Sequence, residues 1–209
     1  MPRGLASWWC ALTPSRGRRR TLTAKELPKV KVPPEPEPLV TSRSGLDVEA
    51  LARRVTPEDR APANGSSIAF LLEHRGASAL LTADAFPSVL QRALASLATS
   101  RRQPLPWTLD LIKLSHHGSR ANSTTKLLET VRATHILVST NGAIFGHPDQ
   151  EGIARVLASG TPGREVWFNF RTPRTEVRAG ASLQARYGYL ARFPTAAGNT
   201  TAVHLSAKA

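Results

Sequence analysis

The chain contains little cysteine and no long apolar run. Its 209 residues include one cysteine, Cys10, and one methionine. A single cysteine excludes a disulfide framework and a zinc site built from several thiolates. It is typical of a reducing compartment, so we expect a cytoplasmic protein. No apolar run approaches the roughly 20 residues that a membrane-spanning helix needs, and the stretch 5–12 lacks the basic lead of a signal peptide. We therefore expect no membrane partner.

Acidic residues are also scarce. The chain has 15 Asp and Glu against 28 Lys and Arg, which gives a net charge of +13. Such a balance favours polyanionic partners, either nucleic acid or a phosphorylated substrate. The alternative is an arginine-rich composition spread over solvated faces, because the charge is dispersed apart from one cluster at residues 16–20. The composition leaves both interpretations open.

Residues 1–63 lack a clear periodic pattern. They contain the basic cluster at 16–20 and a proline-rich stretch at 32–39, which favours extended, solvated backbone. Only residues 46–55 suggest a short helix. We expect low order up to residue 63 and assign no chemistry to this segment.

From residue 64 onward, strand-like runs alternate with helical patterns, which predicts an α/β layered domain over 64–171. Residues 172–209 lose this pattern and are predicted to form an irregular tail. The predicted strands are 67–73, 77–82, 109–114, 134–140 and 165–170. The predicted helices begin near Phe86 and Pro87, near Asn122 and Ser123, and near Pro148 and Asp149.

Four polar side chains follow the predicted strands where those strands end. They are Asp84, His116, His117 and His147. Ligands of α/β sheets collect at the carboxyl ends of strands, and carboxylate oxygen with imidazole nitrogen is the ligand set of Zn, Mn or Fe. Taken alone, Asp84 fits a helix cap and His147 an ordinary loop residue. The adjacent histidines before Gly118 are harder to explain as packing.

Four short motifs occur here in a fixed order. They are Asn-Gly-Ser-Ser at 64–67, Leu-Leu-Thr-Ala-Asp-Ala at 80–85, Ser-His-His-Gly-Ser at 115–119 and Phe-Gly-His-Pro at 145–148. Together they resemble the C-terminal half of metallo-β-lactamase-fold hydrolases. The similarity is to the hydrolase domain of bacterial competence DNA-uptake channel proteins and to phosphorylcholine esterases. It covers residues 64–170, about half of the chain.

The resemblance implies one half of an αββα sandwich and a site for two divalent ions, Zn or Mn. It implies that Asp84 bridges the ions and that His117 and His147 are further metal ligands. His116 would contact substrate phosphate or move a proton, and the two adjacent histidines could exchange these roles. The implied reaction is metal-assisted hydrolysis of a phosphodiester or another ester. The implied substrate contacts are Ser119 and Asn141.

The family's His-x-[His/Asp]-x-Asp-His motif is missing. It should precede Asn64, yet no histidine occurs before that residue. Three expectations fit: a truncated or mis-started chain, a degenerate metal-free relative, or a chain completed by another. We expect this chain alone to lack hydrolase activity. The alternative function is a non-catalytic basic module that binds nucleic acid or a partner subunit. Because half a sandwich exposes an apolar sheet face, an oligomer or a partner chain is expected to cover it.

Overall fold

A computed structural model of the chain describes residues 9–11, 38, 41–42, 45–160, 162–195 and 201–208. The strands are β1 Trp9–Ala11, β2 Thr41–Ser42, β3 Gly45–Leu46, β4 Ala69–His74, β5 Ala77–Leu81, β6 Trp107–Lys113, β7 Val131–Val138, β8 Arg164–Phe168 and β9 Tyr189–Arg192. The helices are α1 Val48–Arg53, α2 Pro87–Ser100, α3 Thr125–Thr130, α4 Gln150–Ala158, α5 Pro173–Glu176 and α6 Ala181–Tyr187.

Seven strands form one mixed sheet in the order β1-β4-β5-β6-β7-β8-β9, and β2 and β3 form a separate pair. Strands β1, β4 and β5 pair antiparallel, whereas β5 to β9 pair parallel. The turn of the β4–β5 hairpin contains Arg75 and Gly76, both with positive φ. The prediction of a mixed α/β fold is therefore confirmed, and the predicted hairpin is present.

Neighbouring residues on each strand face opposite sides of the sheet, and the register separates two rows of side chains. The buried row is Leu71, Leu80, Ile112, Ile136 and Val166. The open row is Phe70, Leu81, Lys113, Leu137 and Trp167. No residue of the open row is fully buried, and Phe70 and Leu81 are 37% and 39% exposed. The core therefore lies on the side of the buried row.

Helix α2 begins at Pro87, whose fixed φ and missing N–H suit the first helical position. It buries one stripe, formed by Leu90, Leu94 and Ala98. Burying a leucine side chain contributes about 1.5–3 kcal/mol, so this stripe stabilises the packing of α2 against the core. Among the described residues no helix is long and apolar enough to cross a membrane.

Helix α4 is buried along nearly its whole length, and α1 packs against it. Val48 and Leu51 of α1 are both fully buried. The short helix predicted within residues 46–55 is therefore present and belongs to the core, which begins before residue 64. The basic cluster at 16–20, and residues 32–37 and 39 of the proline-rich stretch, lie outside the described residues.

The region after residue 171 differs from the predicted irregular tail. Helices α5 and α6 lie there, and β9 extends the sheet by pairing with β8. The hydroxyl of Tyr189 donates to the carbonyl of Arg178 at 2.6 Å, inside the core. Helix α6 has no fully buried residue, and its contact with the core is made by the partly buried Leu183 and Tyr187, a short apolar stripe that gives a weak sequence pattern. Residues 201–208 contain neither helix nor strand.

Candidate functional site

Three parallel strands end side by side and place three loops at one edge of the sheet. The register pairs Leu81 of β5 with Lys113 of β6, and Lys113 with Leu137 of β7. The loops that follow these strands carry Asp84, the His116–His117 pair and His147. The carboxyl edge of a parallel sheet is where ligands bind in α/β folds.

The loop that carries the paired histidines has an unusual backbone. His116, His117 and Gly118 have φ values of 45°, 58° and 84°. The left-handed conformation costs a non-glycine residue roughly 1–2 kcal/mol, and strain of this kind collects at functional sites. Two backbone bonds hold the turn: the N–H of His116 donates to the carbonyl of Ala83 at 2.9 Å, and that of Ser119 donates to the carbonyl of His116 at 3.0 Å.

His117 has a fixed tautomer. Its Nδ1 lies 2.5 Å from the carbonyl oxygen of Ser139. A carbonyl oxygen only accepts, so Nδ1 carries the proton and donates it. In the neutral imidazole the lone pair is then on Nε2.

His147 also donates from Nδ1, in its case to a carboxylate, and this fixes its tautomer. Its Nδ1 donates to Asp149 Oδ1 at 3.1 Å, and the backbone N–H of Arg120 donates to Asp149 Oδ2 at 2.8 Å. Burial raises the pKa of Asp149, but the hydrogen bonds from His147 and Arg120 outweigh it and leave the pKa below its ordinary value. Asp149 is therefore an ionised acceptor, and the lone pair of His147 is on Nε2.

His116 contacts two residues from the segment before β4. Its Nδ1 lies 3.4 Å from Asp59 Oδ2 and 3.3 Å from Asn64 Nδ2. Burial raises the pKa of Asp59. The hydrogen bonds from Ala61 N–H, Asn64 and Asn122, together with the electrostatic interaction with His116, outweigh this effect and lower the pKa of Asp59 below its ordinary value. Asp59 is a site residue that the sequence did not reveal, because a lone Asp in a polar loop carries no periodic or motif signal.

The imidazole rings form a cluster. The ring of His116 lies 5.1 Å from that of His147 and 6.2 Å from that of His117, both in edge-to-face arrangements. The Phe145 ring lies 6.3 Å from that of His116 and 6.1 Å from that of His147, and Phe145 is 62% exposed. Three of the sequence-predicted residues are thus brought together at one edge, with an aromatic side chain beside them.

Asp84 is partly exposed on the neighbouring loop and does not cap α2, whose N-cap is Phe86. Its backbone carbonyl accepts from Asn122 Nδ2 at 3.4 Å. Burial lowers the pKa of Lys113, and the carboxylate of Asp84 opposes that shift. The charge of Asp84 therefore acts on Lys113, and among the described contacts its carboxylate accepts no hydrogen bond.

The two predicted substrate contacts have local roles. Ser119 is buried, and its hydroxyl accepts from the N–H of Ala121 at 3.2 Å. Asn141 is exposed, and its side-chain oxygen accepts from the N–H of Ala143 at 2.9 Å. The side chain of Ser119 is thus engaged in the histidine turn, whereas Asn141 shapes the loop that leads to His147.

The donor chemistry fits part of a metal centre. His117 and His147 each keep Nδ1 engaged and Nε2 free of hydrogen bonds from the described residues, which is the usual arrangement of a metal-ligating histidine. Within the described part of the chain, however, no group of three or more His, Cys, Asp or Glu side chains is placed to hold an ion. These residues offer metal donors without completing a site.

Comparison of the chain with protein-family models, curated proteins and solved structures finds no significant match. The similarity to metallo-β-lactamase-fold hydrolases therefore rests on the four motifs alone.

Proposed function

We propose that this chain is the C-terminal half of a metallo-β-lactamase-type hydrolase domain. It contributes His117, His147 and Asp84 toward a divalent metal site and does not hydrolyse an ester by itself. The observation that supports this most directly is the paired arrangement of His117 and His147. Each donates from Nδ1 to a fixed oxygen, so each keeps an unprotonated Nε2.

The partners of these two histidines support a ligand role. Ligating imidazoles usually donate their other N–H to a backbone carbonyl or a carboxylate, which fixes the ring and raises its basicity. Here Ser139 supplies the carbonyl and Asp149 the carboxylate.

The reaction class comes from the resemblance to metallo-β-lactamase-fold hydrolases, and the donors are compatible with it. Zn or Mn held by such donors would supply Lewis-acid stabilisation of negative charge that develops on a phosphodiester or another ester. His116 lies within the imidazole cluster with Nε2 free of described partners, which is compatible with a contact to the substrate oxyanion or with proton transfer. Phe145, exposed beside the cluster, offers an apolar contact for the rest of the substrate.

The missing N-terminal motif explains why we expect no turnover. The family pattern takes several ligands from His-x-[His/Asp]-x-Asp-His, and no histidine precedes Asn64.

The test measures metal binding and ester hydrolysis in separate experiments. Purified chain is dialysed against Zn or Mn, and bound metal is counted by elemental analysis for the native protein, His117→Ala and His204→Ala. His204 is exposed in the segment 201–208 and serves as the matched control. We expect metal binding that falls at least about tenfold in His117→Ala and is unchanged in His204→Ala.

Hydrolysis of a chromogenic phosphodiester is then assayed with the same preparations. We expect none above the metal-only background. Robust turnover by the chain alone contradicts the proposed incompleteness. If no metal binding depends on His117, and the chain binds DNA with strong salt dependence, a basic binding module is the better description.

A further inference from the structure

Asp84 lies in a tight turn, residues 82–85, between β5 and α2. The N–H of Ala85 donates to the carbonyl of Thr82 at 3.1 Å, which closes the turn. The hydroxyl of Thr82 donates to the carbonyl of Lys113 at 2.6 Å. The first residue of the turn is therefore attached to β6, the strand that leads into the paired histidines.

Two donors from the loop of the paired histidines bind further carbonyls of this turn. The hydroxyl of Ser115 donates to the carbonyl of Ala85 at 3.0 Å, and the N–H of His116 donates to that of Ala83 at 2.9 Å. Asn122 Nδ2 reaches the Ala85 carbonyl only at 3.4 Å, beyond the usual range of such a bond. Ser115 is 2% exposed and Ala85 4%, so water does not replace the hydroxyl of Ser115 at this carbonyl.

The carboxylate of Asp84 has no hydrogen bond of its own that would fix its position. Among the described residues, none donates to it. Its position therefore depends on the backbone of the turn, which the bonds at Ala83 and Ala85 hold against the histidine loop. Of these two bonds only the one from Ser115 is made by a side chain, so a substitution can remove it selectively.

We infer that Ser115 is a positioning residue for Asp84. Its buried hydroxyl fixes the turn 82–85 against the loop of the paired histidines. It thereby holds the carboxylate of Asp84 at the edge of the sheet where the imidazole cluster lies. The ligand role of Asp84 rests on the proposed function, whereas the attachment of its turn does not.

Amide hydrogen exchange of the metal-free protein, followed by NMR, tests this attachment. The reporters are the N–H groups of Ala85 and His116, because both donate to carbonyls of the turn. We expect Ser115→Ala to raise their exchange rates at least about fivefold more than that of Ile136, which is buried in β7. Equal increases at all three amides would mean that Ser115 contributes only to overall stability, and the inference would be overturned.

Ser123→Ala is the matched control for this substitution. Ser123 is as buried as Ser115, at 2% exposure, but its hydroxyl has no described partner. The exchange rates of Ala85 and His116 should therefore stay unchanged, and an effect equal to that of Ser115→Ala contradicts the inference. The native chain also provides a test if Ser115→Ala fails to fold. Reporter amides that exchange there as fast as in an unfolded peptide would show that the turn is not fixed.

Zinc affinity then tests whether Ser115 acts through Asp84. We expect Ser115→Ala to weaken zinc binding by about tenfold or more in the native chain. In an Asp84→Ala background the same substitution should cause no further loss, because the two effects are then not additive. Equal losses in both backgrounds overturn the inference. A native chain that binds no zinc contradicts the proposed function instead, and the exchange rates alone then decide whether Ser115 fixes the turn.

Discussion

The carbonyl oxygen of Gly118 occupies the space that a side chain at Gly152 would need. A Cβ added at Gly152 would lie 2.4 Å from that oxygen, far inside the closest normal contact. The same carbonyl accepts from the N–H of Asp149 at 3.2 Å. The first turn of α4 therefore sits directly on the turn that carries the paired histidines, and this contact joins the core helix to the candidate site.

Gly152→Ala is expected to destabilise the protein although alanine favours a helix. Replacing glycine inside a helix stabilises it by about 1 kcal/mol, but overpacking against rigid backbone costs about 1–3 kcal/mol or more. Because the clash is with a carbonyl, we expect a net loss of roughly 1–2 kcal/mol in the free energy of unfolding. Urea denaturation measures it.

The control for this substitution is Gly180→Ala. A Cβ at Gly180 would meet only the carbonyl of Val177 at 3.7 Å, an ordinary contact. Since Gly180 is the N-cap of α6, a loss below about 1 kcal/mol is expected. If the two substitutions lowered the free energy of unfolding equally, α4 and the turn formed by His116, His117 and Gly118 would be able to move apart without loss of stability.

Ala83 occupies a backbone position that suits glycine. Its φ is 46°, and its carbonyl accepts the N–H of His116. Glycine relieves about 1–2 kcal/mol of left-handed strain, and its greater freedom in the unfolded chain costs about 0.4–1 kcal/mol. We expect Ala83→Gly to raise stability by up to about 1 kcal/mol, as measured by urea denaturation.

Ala95→Gly, inside α2, is the matched comparison for Ala83→Gly. It should lower stability by roughly 0.5–1 kcal/mol, because the same exchange in a helix interior only adds unfolded-state freedom. A loss of similar size for both variants would mean that the turn at Ala83 is not strained.

The sequence predicted the elements whose patterns depend on local periodicity. The β4–β5 hairpin, α2 from Pro87, the strands at the site and α4 after Pro148 lie close to their predicted bounds. The predicted cap of the middle helix was near Asn122 and Ser123, whereas the N-cap of α3 is Thr124, which accepts from the N–H of Leu127. Local periodicity locates a helix, but competing polar residues before it leave its first residue uncertain.

Contacts between distant segments could not be predicted in the same way. The buried Arg155 donates to the carbonyls of Arg120 and Arg54 at 2.7 and 2.6 Å, which joins α4 to two loops. Asp59 and His116 meet across 57 positions of sequence, with no pattern at either end beyond the paired histidines. The sequence does not show which distant group is bound by a charged side chain inside a helix or by a lone Asp in a loop.

The C-terminal segment is held to the sheet by a pH-sensitive contact. Asp110 Oδ1 pairs with Lys208 Nζ at 2.7 Å, and Oδ2 accepts from the N–H of Ser78 at 2.8 Å. Burial raises the pKa of Asp110, but the bonds from Lys208 and Ser78 outweigh it and leave the pKa below its ordinary value. The stabilisation is therefore complete above the unfolded pKa near 4 and is lost as the pH falls through the lower folded value.

Asp110→Asn is expected to be less stable than the native chain by about 1–2 kcal/mol at neutral pH. The difference should shrink toward zero as the pH falls below about 4. Urea denaturation at a series of pH values measures it, with Glu129→Gln, exposed on α3, as the control. A difference that stays constant down to acid pH would mean that the carboxylate keeps its ordinary pKa.

The open row of the sheet begins with two directly opposed apolar side chains, Phe70 and Leu81. Such a pair on an open sheet face favours association with another apolar surface. We expect the chain to self-associate, and we expect Phe70→Lys combined with Leu81→Glu to shift it toward monomer without unfolding it. The opposite charges avoid repulsion between the paired positions. Sedimentation velocity measures the shift. Val55→Lys is the control, because Val55 is 97% exposed and lies outside the sheet. If the native chain is a monomer at high concentration, or if Val55→Lys disperses it equally well, the open row is not the associating surface.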